Sequence, residues 1–427
     1  MGKRLLPLTG GVIPKPMASI CGKPILQWQL ESLRDEGVTE FCIVTGHLGR
    51  IIQDHFGDGS EWSVSIRYFH EETPMGTAGA LAHIGDFFKE DFFLLVFGDT
   101  IFDIYVSRME RVHKEKRALA SMFVHPNSHP SDSDLAILDK ESRVVSIDSK
   151  HNVRNNWYDN MVNAGFYILS AKSLEYIKKT GKTDLEKDFL LPLIEKRAPI
   201  FGYVSTEYIK DAGTADRIEQ IEGDIAAGTV AAKKLSKPQK CIFLDRDGTL
   251  NKYKGLVYKT EDMELEETAI EAVKLINGSP YLAIVVTNQP AIARGLCEIT
   301  QIEKIHRKMS TLLGRGGAYL DDMIFCPHHP DKGYPEENTA FKISCECRKP
   351  RIGMLKKSAA RWNINLSDSW IIGDTTRDIQ TGKNAGLRSI LVKTGEGGKD
   401  DSFAATPDHV CENILEAVSF ILKGEVS

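Results

Sequence analysis

The sequence has no uninterrupted apolar run of the length that a membrane-spanning helix needs, so no membrane association is expected. It has no excess of positive charge either, since 54 Lys and Arg residues are outnumbered by 59 Asp and Glu residues, for a net charge of −5. This balance disfavours a nucleic-acid partner, which requires clustered basic residues. No repeats, low-complexity tracts or signal peptide are evident, and we therefore expect a cytoplasmic protein.

Cysteine is also scarce, with 8 residues in a chain of 427, and this excludes a small disulfide-stapled scaffold. The remaining composition, 42% hydrophobic and 26% charged, is typical of a globular protein that buries substantial cores. The length exceeds that of one ordinary domain, so two domains are expected. A basic, proline-containing stretch at residues 233–240 lacks apolar periodicity and predicts a linker between domains 1–232 and 241–427.

The most informative segment begins with the apolar run Cys241–Leu244, which predicts a buried parallel strand. Asp245 and Asp247 follow this run directly, and Gly248 then allows a sharp turn. Carboxylates at the C-terminal end of such a strand face the crevice where open α/β sheets bind ligands. Asp245 can attack phosphorus as a nucleophile, and Asp247 can protonate the leaving oxygen and then activate water.

Three later segments supply the other groups that a phosphoryl-transfer site needs. A hydroxyl and two amides follow one apolar strand, a lysine can balance phosphate charge, and two aspartates after another strand suit Mg²⁺. These are Thr287, Asn288 and Gln289 after Leu282–Val286, Lys349, and Asp374 and Asp378 after Trp370–Ile372. Their order, mostly at strand ends, favours a phosphatase site over an accidental Asp-Gly turn.

Residues 240–400 resemble phosphatases of the haloacid-dehalogenase superfamily, most closely the branch of D,D-heptose 1,7-bisphosphate phosphatases and histidinol phosphatases. The resemblance implies an aspartyl-phosphate on Asp245, with Asp247 as acid and base. It implies Mg²⁺ held by Asp245, the Asp247 backbone carbonyl and Asp374. Residues assigned by resemblance to the phosphate or the substrate are Thr287, Asn288, Gln289, Arg294, Arg348 and Lys349. The sequence departs from the branch at Pro290, Ala291 and Thr375.

Two tight pairs of metal-ligating residues flank a polar loop in this half of the chain: Cys326 with His328, and Cys345 with Cys347. Three thiolates and one imidazole are the composition of a closed structural Zn²⁺ site. His329 is an alternative to His328, and the phosphatase resemblance favours His328. Because Cys347 lies two residues before Lys349, the metal would fix the loop that presents the lysine.

The first half alternates helical and strand patterns, which predicts a mostly parallel sheet covered on both faces. Near its start, a glycine turn beside Arg4 and Lys15 would suit a triphosphate, because cations and backbone N–H groups can surround the anion. Predicted helices are Pro24–Glu36, Leu48–Phe56, Ala78–Phe88 and Thr214–Ala227. Predicted strands are Glu40–Thr45, Val64–Phe69, Phe92–Phe97, Ala120–Val124 and Ala164–Leu169.

Together these segments resemble the sugar-phosphate nucleotidyltransferases, which make nucleotide sugars. The resemblance implies a Rossmann-like sheet, and attack by a sugar 1-phosphate on the α-phosphorus of a nucleoside triphosphate. The residues that match the family are Arg4 and Lys15 at the phosphates, Gly76 in the base loop, Asp99 and Asp211 as Mg²⁺ ligands, and Lys150, Asn163 and Glu186 at the sugar phosphate. In the family, a first strand and a Gly-Gly turn precede this motif, whereas Met1 stands where the motif starts here. Either the true start lies upstream, which we favour, or the first strand is missing and the transferase is weakened.

The fold expected from both halves is α/β, with two doubly wound domains and a zinc loop in the second. Neighbouring steps of one pathway would explain the pairing: removal of the 7-phosphate of a heptose 1,7-bisphosphate, then transfer of a nucleotide, GMP from GTP, to heptose 1-phosphate. Two alternatives remain open. The phosphatase could act on histidinol phosphate, or the first domain could be a non-catalytic module that binds a sugar phosphate or nucleotide.

Overall fold

A computed structural model describes residues 11–87, 90–178, 181–333 and 335–424, and so far as it is described the chain divides into two compact units. The N-terminal unit comprises Met1–His125, Asp134–Lys150 and Met161–Lys234, and the C-terminal unit comprises Pro126–Ser133, His151–Asn160 and Leu235–Ser427. Both units combine helices with strands, and the α/β class is confirmed. Among the described residues, no helix has both the length and the apolar character needed to cross a membrane.

Three of the predicted helices of the first half, Pro24–Glu36, Leu48–Phe56 and Thr214–Ala227, are formed within two residues of their predicted bounds, and further helices are present that were not predicted. The helices of the described residues are α1 Ile25–Asp35, α2 Gly49–Phe56, α3 Val106–Glu115, α4 Leu191–Glu195, α5 Ala215–Ala226 and α6 Thr229–Ala232 in the N-terminal unit, and α7 Ala269–Asn277, α8 Ile299–Arg315, α9 Gly353–Trp362, α10 Thr376–Ala385 and α11 Ile414–Lys423 in the C-terminal unit. Side-chain caps fix several starts: Thr214 and Asn413 accept backbone N–H bonds at α5 and α11.

The N-terminal unit contains twelve described strands. They are β1 Ser19–Ile20, β2 Lys23–Pro24, β3 Glu40–Thr45, β4 Ser65–His70, β5 Phe92–Val96, β6 Thr100–Asp103, β7 Ala120–His125, β8 Leu135–Leu138, β9 Val144–Asp148, β10 Val162–Ser170, β11 Ile200–Val204 and β12 Tyr208–Asp211. The largest sheet has the order β11-β7-β10-β8-β9, with β5 also pairing β10.

This sheet is mixed, whereas the sequence pattern predicted mostly parallel pairing. Strand β10 runs antiparallel to β5, β7 and β8, while β11 is parallel to β7. Strands β3 and β4 pair in parallel in a separate two-stranded sheet. Burial explains the wrong expectation, since successive residues of β7 and β10 are buried and the two strands therefore show the continuous apolar runs that usually mark parallel strands.

The predicted helix Ala78–Phe88 is also not formed as one element. The chain instead makes two short 3₁₀ turns, Gly79–Ala82 and Gly85–Phe87. The glycines that begin these turns lower the helix propensity of the segment. A Cβ on Gly79 would lie 2.7 Å from the Met75 Cβ, so this glycine also permits close packing of the preceding loop.

The C-terminal unit has one six-stranded sheet that is parallel throughout, in the order β15-β14-β13-β16-β17-β18. Its strands are β13 Lys240–Leu244, β14 Tyr281–Asn288, β15 Asp322–Cys326, β16 Trp370–Gly373, β17 Arg388–Val392 and β18 His409–Cys411. The central strand β13 pairs with β14 on one side and β16 on the other, so the carboxyl ends of these three strands lie next to one another. The residues that follow the three strands therefore meet at one edge of the sheet.

Candidate active sites and metal centres

Three strand-end segments of the C-terminal unit meet around Asp245. Asp245 follows β13, Thr287 lies near the end of β14, and Asp374 follows β16. All three side chains are almost completely buried, with residue exposures of 8%, 1% and 1%. Carboxylate oxygens of Asp245, Asp374 and Asp378 lie within 4.8 Å of one another, so the site concentrates negative charge in a poorly solvated place.

Lys349 balances part of this charge. Its ammonium Nζ lies 2.6 Å from Asp245 Oδ1 and 2.5 Å from Asp378 Oδ1, and all three side chains are buried. The backbone of Lys349 is held as firmly, because Asn288 accepts its N–H at 3.0 Å and donates to its carbonyl at 3.2 Å. Lys349 therefore reaches Asp245 from a fixed backbone position, although it lies 104 residues away along the chain.

The two aspartates after β16 have different surroundings. Asp378 uses Oδ1 for Lys349 and Oδ2 for the Thr375 hydroxyl, in a capping box that begins α10. Asp374 accepts the Glu396 N–H at Oδ2, but its buried Oδ1 has no hydrogen-bond partner among the described residues. Burial, and then the neighbouring Asp245 and Asp378 carboxylates, raise the pKa of Asp374 to about 9. Such a carboxylate becomes an anion at neutral pH when a cation is supplied.

Two glycines allow the chain to close around Asp374. Gly248 and Gly395 have φ of +83° and +61°, and a Cβ on either would lie within 2.2 Å of Asp374 Oδ2. The turn after Asp247 and the loop after β17 are joined there by a hydrogen bond from the Thr394 hydroxyl to the Gly248 carbonyl, 2.7 Å long. Only glycine fits these positions without displacing the carboxylate.

Asp247 faces the same crevice, with 18% of its side chain exposed. Its carboxylate accepts bonds from Arg246, from Asn251 at 3.1 Å and from Gln289 at 2.8 Å. Asp245 has a different environment, because burial raises its pKa to about 6 while Lys349 opposes the shift. The two aspartates are thus held in unlike surroundings, as different roles in one reaction require.

The Cys and His pairs converge in a second cluster. Cys347 Sγ lies 3.1 Å from Cys326 Sγ, 3.2 Å from Cys345 Sγ and 3.3 Å from His328 Nδ1. Sulfur and nitrogen ligands around a tetrahedral metal are separated by a few ångströms, so the four groups could bind one ion. His329 lies outside the cluster, and its Nδ1 accepts the Asp331 N–H at 3.2 Å.

A basic cavity of about 350 Å³ has Lys349 in its wall. Three guanidinium groups line it, and Ser402 lies 3.5 Å from one of them, that of Arg377. Burial, and then the nearby Arg377, lower the pKa of Arg348, as expected for cations packed together. The charged side chains in the wall are Arg348, Arg351, Arg377, Lys349 and Asp331.

The N-terminal unit brings Lys15 and Asp99 together, with Lys15 Nζ 3.5 Å from Asp99 Oδ2 and both side chains about one-third exposed. Asp211 lies nearby in the backbone, because the Ala212 N–H donates to the Asp99 carbonyl at 2.7 Å. The Asp211 carboxylate is paired with Arg217, whose Nη1 lies 2.6 Å from Oδ1. Arg4 lies outside the described residues.

A second polar group in this unit links Asn163, Tyr167 and Glu186. Asn163 Nδ2 donates to the Tyr167 hydroxyl at 2.7 Å and to Glu186 Oε1 at 3.0 Å. Burial, and then the charges of Asp184 and Asp134, raise the pKa of Glu186. These three side chains form one hydrogen-bonded group, although β10 and the π-helical turn Leu185–Leu190 supply them from distant parts of the chain.

For Gly76 and Lys150, the structure defines the position of the backbone. Gly76 has φ of +87°, and a Cβ there would lie 2.4 Å from the Thr183 carbonyl, so close packing on this backbone already requires glycine. The Lys150 N–H donates to Asp134 Oδ1 at 2.8 Å. This bond fixes the lysine backbone beside an acidic residue that also acts on Glu186.

A family model described as nucleotidyl transferase matches residues 1–228, and one described as HAD-hydrolase-like matches residues 346–417. A D-glycero-beta-D-manno-heptose-1,7-bisphosphate 7-phosphatase of Pasteurella multocida is 35% identical over 184 residues, which are 43% of this chain and 97% of the relative. The chain belongs to the nucleotidyl transferase family and, in its C-terminal half, to the heptose bisphosphate phosphatase family.

Further comparisons involve both halves. A D-glycero-alpha-D-manno-heptose-1,7-bisphosphate 7-phosphatase of Photorhabdus laumondii is 37% identical over 185 residues, which are 43% of this chain and 97% of the relative. The crystal structure of HddC from Yersinia pseudotuberculosis has 24% identity and a TM-score of 0.44, and the match covers 50% of this chain and 91% of that one. The family models and the two phosphatase relatives confirm the resemblance of each half to its family. The two units are named the transferase unit and the phosphatase unit below.

In the phosphatase unit, sequence reasoning missed Arg246 and Asn251, which both contact Asp247. It also missed the loop around Glu396, whose N–H bonds Asp374 and whose carboxylate lies 2.7 Å from the Tyr253 hydroxyl. Arg246 lies between Asp245 and Asp247 in the sequence, and this position was the one feature that could have indicated its part in the site. Arg294, which was assigned to the substrate, lies near His329 and joins burial and Arg348 in lowering the pKa of that histidine to about 4.

Proposed function

We propose that this chain catalyses two consecutive reactions. The phosphatase unit removes the 7-phosphate of D-glycero-D-manno-heptose 1,7-bisphosphate, and the transferase unit transfers GMP from GTP to the resulting heptose 1-phosphate. The observation that carries the proposal is the meeting of Asp245, Asp247 and Lys349 at one sheet edge beside a cavity lined by three arginines. A cytoplasmic location belongs to the proposal, because nucleoside triphosphates are available there.

In the first step, Asp245 attacks phosphorus and the bond to the sugar oxygen breaks. Asp247 gives its proton to that oxygen, which leaves as the heptose 7-hydroxyl. Water then attacks the aspartyl-phosphate, Asp247 takes the proton of the water, and the bond between Asp245 and phosphorus breaks. Thr287 and Lys349 hold the phosphate oxygens: the Thr287 hydroxyl donates a hydrogen bond, and the Lys349 ammonium neutralises charge in a poorly solvated site.

The site suits Mg²⁺, and Asp245, Asp374 and the backbone carbonyl of Asp247 would hold it. The buried Asp374 Oδ1, which has no partner among the described residues, offers a hard oxygen ligand that a cation would satisfy. Asp378 is a poorer ligand, because its Oδ1 already binds Lys349 and its Oδ2 binds the Thr375 hydroxyl. When bound, Mg²⁺ neutralises charge on the phosphate oxygens during the transfer.

The arginine-lined cavity favours a substrate with a second anionic group. A bisphosphate can place the phosphate that is not hydrolysed against Arg348, Arg351 and Arg377, each a bidentate donor suited to phosphate. Histidinol phosphate carries an ammonium and an imidazole at its other end, which these cations would repel. The two relatives described above are both named heptose bisphosphate phosphatases, which supports the same choice.

For the transferase unit we propose that Arg4 and Lys15 bind the triphosphate and that Asp99 and Asp211 hold Mg²⁺. Lys15 and Asp99 already lie 3.5 Å apart, as a phosphate-binding cation and a metal ligand in one site would. Lys150, Asn163 and Glu186 would contact the sugar phosphate, with Gly76 in the base loop. The choice of guanine rests on the pairing of this unit with a heptose bisphosphate phosphatase.

We further propose that Cys326, His328, Cys345 and Cys347 bind one structural Zn²⁺. Four closely spaced donors would fill all four positions of a tetrahedral ion and leave none for water, as in a closed structural site. Arg348 follows the last ligand and donates to the His328 carbonyl at 3.2 Å, so the cluster and the cavity share one loop. Metal binding there would order the residues that present Arg348 and Lys349.

The substrate assignment is tested by measuring kcat/KM for heptose 1,7-bisphosphate and histidinol phosphate on the wild type and on Arg377→Met. We expect the bisphosphate to be preferred, and the variant to lose roughly 10- to 100-fold on it, the value of one charge-assisted phosphate contact. Lys383→Met, a basic residue on the same helix outside the cavity wall, is the matched control. A preference for histidinol phosphate would reject the assignment.

A further inference from the structure

Arg246, the residue between the two catalytic aspartates, has a side chain that is 0% exposed. Arginine is rarely buried completely unless its guanidinium is paired. Here Nη2 lies 2.9 Å from each carboxylate oxygen of Asp247, Nε lies 3.1 Å from Oδ1, and Nη2 also donates to the Val257 carbonyl. The guanidinium thus folds back onto its neighbour in the sequence and contacts both of its oxygens.

Gln289, which directly follows β14, completes the set of contacts around Asp247. Its Oε1 accepts from Arg246 at 3.0 Å, and its Nε2 donates to Asp247 Oδ2 at 2.8 Å and to the Thr287 hydroxyl at 3.0 Å. The side chain is buried, with a residue exposure of 3%. Its carboxamide is therefore engaged with protein groups on both sides, which differs from the phosphate contact that the sequence resemblance implies.

We propose that Arg246 and Gln289 are positioning residues that hold the Asp247 carboxylate in the orientation needed for proton transfer to and from the reacting oxygen. This inference deepens the proposed phosphatase function and rests on it. A carboxylate on a flexible side chain can turn away from the leaving oxygen, whereas charge-assisted bonds to both of its oxygens fix its plane. Neither residue touches the phosphate in this account, and both act through Asp247.

A positioning role for Arg246 and Gln289 predicts that the effect of substituting them depends on the leaving group, which a purely structural role does not predict. A sugar alkoxide needs a proton to leave, whereas p-nitrophenolate leaves without one. Disturbing Asp247 should therefore slow the first step for an alkyl phosphate much more than for p-nitrophenyl phosphate. General acid catalysis is worth about 10²–10⁴-fold, so a misoriented acid should cost the alkyl substrate at least about 10-fold more than the aryl one.

The experiment measures single-turnover release of the leaving group by the full-length chain with Mg²⁺, which isolates the first step. The substrates are heptose 1,7-bisphosphate, a simple alkyl phosphate and p-nitrophenyl phosphate. The variants are Arg246→Met, Arg246→Lys, which keeps the charge without the fork, and Gln289→Leu, which spares the buried arginine. Ser389→Ala removes another buried polar group, bonded to Asp408 away from the site, and serves as the control.

We expect Gln289→Leu and Arg246→Met to lose at least about 10-fold more rate on the alkyl phosphates than on p-nitrophenyl phosphate, Arg246→Lys to recover part of that difference, and Ser389→Ala to show none. Equal losses on all substrates, or wild-type rates in folded Gln289→Leu, would overturn the proposal. Failure of the wild type on heptose bisphosphate alone would reject the proposed substrate, and the simple alkyl phosphate would still test the positioning role. A crystal structure of Gln289→Leu gives a readout independent of turnover, since an unmoved Asp247 carboxylate would contradict the role.

Discussion

The Lys349 ammonium lies between the carboxylates of Asp245 and Asp378, at 2.6 Å and 2.5 Å. One buried cation thus pairs with Asp245, the proposed nucleophile after β13, and with the capping aspartate of α10. Burial alone would disfavour all three charges, and their mutual contacts offset that cost. We therefore expect Lys349 to contribute to stability in addition to its proposed role in phosphate binding.

Lys349→Met should therefore destabilise the phosphatase unit. Removing one member of a buried ion group leaves uncompensated charge and typically costs about 3–5 kcal/mol. Urea denaturation of the metal-free chain measures the effect. Arg361→Met, which removes a half-exposed partner of Asp322, is the control and should change the free energy of unfolding by less than about 1 kcal/mol. Equal effects of the two substitutions would contradict the assigned role of the buried ammonium.

Asp245→Asn should abolish phosphate release while the protein stays folded. An amide cannot form the acyl-phosphate, and loss of a covalent nucleophile costs on the order of 10³-fold or more in kcat. The transferase unit provides an internal control, because GTP binding measured by calorimetry should not change. Turnover of the variant close to that of the wild type would remove Asp245 as the nucleophile.

The Cys and His cluster should contain about one zinc ion per chain. Elemental analysis of freshly purified protein measures the content. Cys345→Ala should lower it, whereas Cys297→Ala, which changes a cysteine outside the cluster, should leave it unchanged. Wild-type protein without zinc, or equal content in both variants, would reject the site.

His113 in the transferase unit should make that unit less stable in acid. The ring is buried, its Nδ1 lies 2.8 Å from the Ser121 hydroxyl, and burial lowers its pKa to about 4, with Glu110 opposing and Lys114 assisting the shift. Between pH 6.5 and about 4 the folded state binds fewer protons than the unfolded state, so stability falls as pH falls, by at most about 1.4 kcal/mol per pH unit.

Hydrogen exchange of the β7 amides follows this unit separately from the other. His113→Gln removes the titrating group, so the stability advantage of the wild type over this variant should shrink as the pH is lowered through the same window. His47→Gln is the control, since the His47 ring belongs to the exposed loop before α2. An advantage that is independent of pH would contradict the assignment to His113.

The phosphatase unit was largely predictable because its chemistry lies at the ends of parallel strands. Once Cys241–Leu244 is assigned as a buried strand, topology alone brings the residues after β13, β14 and β16 to one edge. Arg246 could not be predicted in the same way. Nothing local indicates that its side chain turns inward, since its partners Gln289 and His306 come from distant segments.

The transferase unit was predicted less well for a related reason. Strand direction depends on which distant segments pair, and the apolar runs of β7 and β10 look alike whether they are parallel or antiparallel. The pairing of Asp211 with Arg217 is likewise a product of the fold, because a helix start brings the arginine back to the carboxylate. Motif spacing proposed the site residues, and tertiary packing determined their partners.

The most direct test of two consecutive activities is phosphorus NMR of the purified chain with heptose 1,7-bisphosphate, GTP and Mg²⁺. The account predicts loss of the 7-phosphate signal with growth of inorganic phosphate, while the 1-phosphate survives. Paired diphosphate signals of a GDP-sugar, together with pyrophosphate, should then appear. Loss of the 1-phosphate in place of the 7-phosphate, or an unchanged spectrum from protein that hydrolyses histidinol phosphate, would contradict it.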